Sequence, residues 1–311
     1  MNDATRPVTV LNRREFVGVV AGGGAALAAQ PVFRRPAAPR REFKLSLAAW
    51  SLHREVRTGK LKLIDACQAV REEFGLDGFE LVNTLLEVPT ADYVRRFRKE
   101  ADRFGLAIPL VMCDGEGEFG SPDAAERRKA VRYHAKWVYA ASDLGCHSIR
   151  VNWRGAAEGS EKNPAQVSEF IDRSVDAFGE MVALAQRYGI SVIIENHGGP
   201  SSYPDALVGL MRAVNSPAFG TLPDWGNFPR EVNRYDAVDR MMPYAKGVSA
   251  KCYDFWTDGR ETSIDFERML QICVDQHNYH GFIGIEYEGE RLSEREGVIA
   301  ARDLLVKLKG V

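Results

Sequence analysis

From residue 43 onward, short runs of β-branched and aliphatic residues alternate with longer stretches of helical period. Eight such runs recur: Lys44–Trp50, Gly78–Asn83, Ile108–Cys113, His147–Asn152, Ile190–Asn196, Phe219–Asp224, Gly247–Cys252 and Phe282–Tyr287. Between them, Lys62–Phe74 carries apolar residues at 63, 64, 67 and 70, and Tyr93–Phe104 is amphipathic. Arg127–Leu144 and Val167–Tyr188 are long and keep a helical period. Ser121-Pro122 reads as an N-cap with proline at the first helical position. Ser293-Glu-Arg-Glu296 reads as a capping box opening the last helix. Regular strand-then-helix alternation means parallel strands joined by crossover helices. Eight units over residues 43–311 predict an α/β fold, a single (β/α)8 TIM barrel, which typically takes about 250 residues. No GxGxxG follows the first strand, so dinucleotide binding has no support.

The first 42 residues read differently. Arg13-Arg14 precedes a weakly apolar, glycine-rich run, Val17–Ala29, with small residues at Ala26, Ala28 and Ala29. That order is expected for a twin-arginine signal peptide over 1–29, and hence for a periplasmic or otherwise extracytoplasmic protein. The run is about 13 residues, short of the roughly 20 needed to span a bilayer, so no stable membrane span is expected. Residues 30–42 read as a Pro/Arg-rich linker.

Composition excludes several classes. Of 311 residues, 41 are basic and 43 acidic, which leaves no electrostatic footprint for nucleic acid. Apolar residues at 45% and charged ones at 27% describe a globular chain and not a disordered one. Only six histidines occur, at 53, 134, 147, 197, 277 and 280, too few to suggest a multi-zinc site. Cysteines 67, 113, 146, 252 and 273 form no CxxC and are odd in number, which predicts buried thiols and no disulfide framework.

In such a barrel the chemistry lies at the C-terminal strand ends. Strand 5 runs Val-Ile-Ile-Glu195-Asn196-His197-Gly-Gly, and strand 6 ends Leu-Pro-Asp224-Trp-Gly-Asn227. Strand 7 reads Gly-Val-Ser249-Ala-Lys251-Cys, and strand 8 reads Ile-Gly-Ile-Glu286-Tyr-Glu288-Gly. Side chains alternate along a strand, so Glu195 is expected to share a face with His197, Ser249 with Lys251, and Glu286 with Glu288. The barrel brings Glu195, Asp224 and Glu286 toward one mouth. Converging carboxylates raise one another's pKa unless a cation neutralises them. An oxygen-rich set favours Mn2+ or Mg2+. The plainer alternatives are a helix-capping role for Asp224 and solvated acids at Glu286 and Glu288. Lys251 on an apolar strand is unusual unless paired or used. Trp50 either lines the mouth or packs, and Glu80 and Arg150 are expected to pair inside the barrel.

The motifs Ile-Glu195-Asn-His-Gly-Gly, Leu-Pro-Asp224-Trp-Gly-Asn-Phe and Ile-Gly-Ile-Glu286-Tyr-Glu-Gly resemble an exported branch of the xylose isomerase-like sugar phosphate isomerase/epimerase family. The resemblance covers roughly residues 43–311. It implies one divalent metal held by Glu195, Asp224 and Glu286, and proton movement by the two glutamates. Two positions depart from the family pattern. Ser249 stands where strand 7 usually gives a histidine ligand, and Asp-x-x-His is here Asp224-Trp-Gly-Asn227. The first departure implies a weakened or absent metal, and the scarcity of histidine counts against the zinc endonucleases of the same superfamily. The expectation is therefore a sugar isomerase or epimerase working through an enediolate. Glu195 and Glu286 are the acid/base pair, Lys251 faces the oxyanion, and Trp50, His197, Asn227 and Glu288 meet the sugar. The alternatives are a lyase cleaving 3-keto-glycosides by β-elimination and a non-catalytic sugar-binding barrel. Oligomeric state is not legible.

Overall fold

A computed structural model describes residues 40–310. The twin-arginine segment and residues 30–39 of the linker lie outside the described residues.

Eight parallel strands form the barrel: β1 (Lys44–Ala48), β2 (Gly78–Val82), β3 (Leu110–Cys113), β4 (Ser148–Val151), β5 (Ser191–Glu195), β6 (Phe219–Leu222), β7 (Val248–Cys252) and β8 (Phe282–Tyr287). Their order is β6-β5-β4-β3-β2-β1-β8-β7. The remaining seam between β6 and β7 is pinned by the bridges Thr221–Ala245 and Asp224–Ser249. Pro223 lies at this seam and lacks an N–H, but its carbonyl accepts from Ser249 N at 2.9 Å. All eight strands fall where the apolar runs predicted them. Each strand is buried almost throughout, which is why the runs read as continuous.

Helices cover the outside: α1 (His53–Arg57), α2 (Ala66–Gln68), α3 (Ala91–Arg103), α4 (Ala124–Leu144), α5 (Pro164–Gln186), α6 (Pro204–Val214), α7 (Arg234–Met241), α8 (Phe266–Leu270) and α9 (Glu294–Lys309). The predicted helix over Lys62–Phe74 is instead a 3-10 turn, α2 and a π turn, which still bury Leu63, Cys67, Val70 and Phe74. The expected cap at Ser121 is corrected. Asp123 caps α4 by accepting from Ala125 N at 2.7 Å, because the helix opens two residues beyond Pro122. Ser293 and Glu296 form the predicted capping box of α9. All five cysteines are buried and unpaired. No helix among the described residues is long and apolar enough to cross a membrane.

The linker reading ends early. Arg41 is tied to Glu267 and Asp275, each at 2.8 Å, and its backbone N donates to Lys309 O at 3.3 Å.

Register decides what faces the lumen, since strand neighbours opposite each other share a face. Ala48 aligns with Glu80, Arg150 with Met112 and Ile193, Ser249 with Gly284, and Lys251 with Glu286. Polar groups therefore fill the C-terminal half of an otherwise aliphatic barrel.

Candidate functional site

Glu195 ends β5 after three β-formers, and Glu286 sits one residue before the end of β8. Asp224 follows β6, held by Asn196. Asn196 Oδ1 accepts from Asp224 N at 2.8 Å, and its Nδ2 donates to Asp224 O at 2.9 Å. One carboxylate oxygen from each of Glu195, Asp224 and Glu286 lies within 4.8 Å of the others, and all three side chains are buried. The expected convergence at one mouth is what the barrel builds.

Each acid already has partners from the chain. Asp224 Oδ1 accepts from Gly226 N and Asn227 N, both at 2.8 Å. Ser249 Oγ lies 2.7 Å from Asp224 Oδ2 and 3.0 Å from Glu286 Oε2. A hydroxyl has one hydrogen, so both contacts are favourable only when one carboxyl carries a proton. Burial pushes the Asp224 carboxyl above the usual carboxylate range, against the pull of Lys251. Glu286 is the reverse. Burial pushes it up, but Lys251 and its hydrogen bonds outweigh this and leave it below the usual range.

Two cations complete the centre. Lys251 Nζ stands 3.0 Å from Glu286 Oε1, 3.3 Å from Glu288 Oε2 and 4.0 Å from Asp224 Oδ2. Burial alone would discharge the lysine, but the surrounding carboxylates keep it protonated. Arg150 Nε lies 3.0 Å from Glu195 Oε2, and its Nη1 donates to Asp114 Oδ1 at 2.6 Å. The Arg150–Glu195 contact is an ion pair without an aimed N–H, so Glu195 Oε2 is buried and accepts no hydrogen bond. The other oxygen, Oε1, accepts from Asn227 Nδ2 at 2.8 Å.

The three carboxylate oxygens are close enough to be ligands of a divalent ion, but the donor set as it stands does not fit one. A divalent ion needs ionised oxygens turned toward it. Here Ser249 bridges two of the three acids, and an ammonium sits on Glu286.

Asn227 and Lys251 reach the triad, and Glu288 reaches Lys251. His197 does not reach the triad. His197 N donates back to Glu195 O at 2.9 Å, and this tight turn ends the strand alternation that would have put the two side chains on one face. Its Nδ1 meets Arg154 Nη2 at 3.2 Å, and the ring lines a cavity of about 460 Å³ with Asp114, Glu116, Asn152 and Arg154. Trp50 lies in the turn after β1, with His53 stacked on it at 4.7 Å and Arg57 over the ring at 4.6 Å. The expected Glu80–Arg150 pair does not form. Glu80 Oε1 accepts from Ser46 Oγ at 2.5 Å, and Arg150 turns to Asp114 and Glu195. Burial pushes Glu80 up to about 8, opposed by Ser46. Sequence reasoning missed Asp114 and Asn152. Both follow strands, at polar steps after Cys113 and Val151, and that position was the available signal.

A family model described as xylose isomerase-like TIM barrel matches residues 68–308. No protein of curated function matches the chain in sequence. Among solved structures, a D-tagatose 3-epimerase-like protein is similar at 19% identity and a TM-score of 0.68, over 86% of this chain and 97% of that one. A putative xylose isomerase from Rhodospirillum rubrum gives 16% identity and 0.68, over 85% and 99%. The 3-keto-D-glucoside 4-epimerase from E. coli gives 17% and 0.64, over 80% and 95%. At these identities the likeness is one of fold.

Proposed function

Because the chain belongs to the xylose isomerase-like TIM barrel family, we propose that it is a sugar isomerase or epimerase that moves a proton next to a carbonyl. The observation that carries this is Glu195: one oxygen is fixed by Asn227, the other is buried and unbonded, and the carboxylate lies within 4.8 Å of the Asp224 and Glu286 oxygens. A carboxylate so held is preorganised to take a proton. Among the similar structures one is named a D-tagatose 3-epimerase-like protein and one a 3-keto-D-glucoside 4-epimerase, and an epimerase of keto sugars is the activity those names suggest for this barrel.

In this reading one of Glu195 and Glu286 removes the α-proton, and the electron pair moves onto the carbonyl oxygen to give an enediolate or enolate. The other glutamate returns a proton, at the same carbon in an epimerase or at the neighbouring carbon in an isomerase, after taking it from Asp224, the carboxyl that burial pushes up and that Ser249 links to Glu286. Lys251, with three donors and two acids within 3.3 Å, keeps one donor for the oxyanion. Glu288 and the cavity beside His197 hold the sugar hydroxyls, and Trp50, with His53 stacked on it and Arg57 over its ring, keeps a packing role. Mn2+ or Mg2+ has no step in this reading, because the charges facing the triad come from the chain.

A lyase is the second reading. The same enolate on a 3-keto-glycoside expels the β-oxygen, and an extracytoplasmic address, proposed from Arg13-Arg14, suits unphosphorylated glycosides.

The test is deuterium wash-in from heavy water across ketoses and 3-keto-glycosides, with aglycone release scored separately. Glu195→Gln and Glu286→Gln are each expected to lower exchange by about 10²–10⁴-fold, measured below the melting temperature of each variant, since both also remove a counter-charge from Arg150 or Lys251. A wild type that binds these sugars but exchanges no proton would replace the enzyme with a sugar-binding barrel.

A further inference from the structure

We propose that Lys251 is the resident cation of this centre, a built-in ammonium in the place of charge that a divalent ion would otherwise fill. The lysine is 1% exposed, and its nitrogen reaches two triad acids, Glu286 at 3.0 Å and Asp224 at 4.0 Å. Arg150 serves the third, Glu195, at 3.0 Å. Every triad carboxyl therefore has a chain cation within 4.0 Å, and mutual repulsion of the acids no longer calls for an ion.

The seat of the lysine is shaped for it. Gly226 lies over the aliphatic stem, and a Cβ there would come within 2.4 Å of Lys251 Cγ. Lys251 is in register with Glu286 across the β7–β8 ladder, which aims the ammonium at that carboxylate. Ser249, in the same lumen column, spends its hydroxyl on Asp224 and Glu286. An ammonium has no lone pair and cannot join a metal's ligand sphere. It draws on the same carboxylate charge that such an ion would need. Lysine and divalent ion thus compete to neutralise one locus, and the packing under Gly226 holds the lysine there.

The inference deepens the reading of the site as a proton-transfer centre, but it is measured without substrate, so either can fail alone. The probe is MnCl2 titrated calorimetrically into the chelator-treated full chain, together with metal content as purified and melting temperature with and without EDTA. The wild type is expected to hold no stoichiometric metal and to melt at the same temperature in EDTA. Lys251→Met, and more so Lys251→Met with Ser249→His, is expected to gain Mn2+ affinity by about tenfold or more, the scale on which ligand surroundings tune metal sites. Gly226→Ala, which displaces the stem and keeps the charge, should gain less. If Lys251→Met does not fold, the wild-type metal content and EDTA response decide. Stoichiometric Mn2+ or Mg2+ in the wild type with an EDTA-lowered melting temperature overturns the proposal. So does a folded Lys251→Met that binds Mn2+ no better than wild type. A metal-free wild type that exchanges no proton would leave the lysine assignment standing and remove only the enzyme reading.

Discussion

Arg150 Nε stands 3.0 Å from Glu195 Oε2, with both side chains buried on the adjacent strands β4 and β5. The arginine also holds Asp114, so it links the ends of three strands, β3, β4 and β5. The pair fixes the position of the proposed base without covering its free oxygen by a hydrogen bond.

Arg150→Met should therefore be costly. It leaves Glu195 and Asp114 without their counter-charge, and breaking a buried pair from one side costs about 3–5 kcal/mol. For a domain of this size that corresponds to a drop of roughly 6–20 °C in melting temperature. Adding Glu195→Gln should return part of the loss. Scanning calorimetry of the two singles and the double decides it, and additivity within about 0.5 kcal/mol would mean the two residues are not coupled.

Glu80 should make stability fall as pH rises. Its carboxyl is buried against Ser46, close enough to Gly284 that a Cβ there would be 2.5 Å from Oε2, and it also senses Glu286 and Glu195. The folded value is raised, to about 8, so the folded state holds the proton more tightly than the unfolded one. The stabilisation is complete below the ordinary carboxylate value and is lost as pH climbs through about 8. The loss is on the order of 3–5 kcal/mol. Glu80→Gln, neutral throughout, should flatten the fall. Melting curves from pH 5 to 9, ranges chosen to bracket the shift, test it; an equal slope in both proteins would assign the dependence elsewhere.

The export proposal has its own test. Replacing Arg13 and Arg14 with lysine should retain the protein in the cytoplasm, read by fractionation and immunoblot. Unchanged export of the double variant would remove the twin-arginine assignment.

The strands and the triad were legible because both are written in local pattern. Buried parallel strands give continuous apolar runs, and an acid directly after Val-Ile-Ile or Ile-Gly-Ile marks a strand end. The partners were harder to read. Sequence alone pairs Arg150 with Glu80, but its neighbours Asp114 and Glu195 follow from the strand order and register, which a single stretch of sequence does not give. His197 was misplaced because a strand rule was carried one residue past the strand, into a turn set by Glu195 O. That Lys251 is wedged under Gly226 depends on two strands meeting at a seam, which no single stretch of sequence encodes.

Arg41 carries a practical consequence. It clamps the entry to β1 onto the last turns of α9 and the π turn after α8, at the end of the barrel away from the triad. A chain begun at residue 40 therefore starts at the end of the barrel away from the triad. An affinity tag or immobilisation handle placed there leaves the substrate entrance open, whereas the loops after β5, β7 and β8 are the wrong place for one.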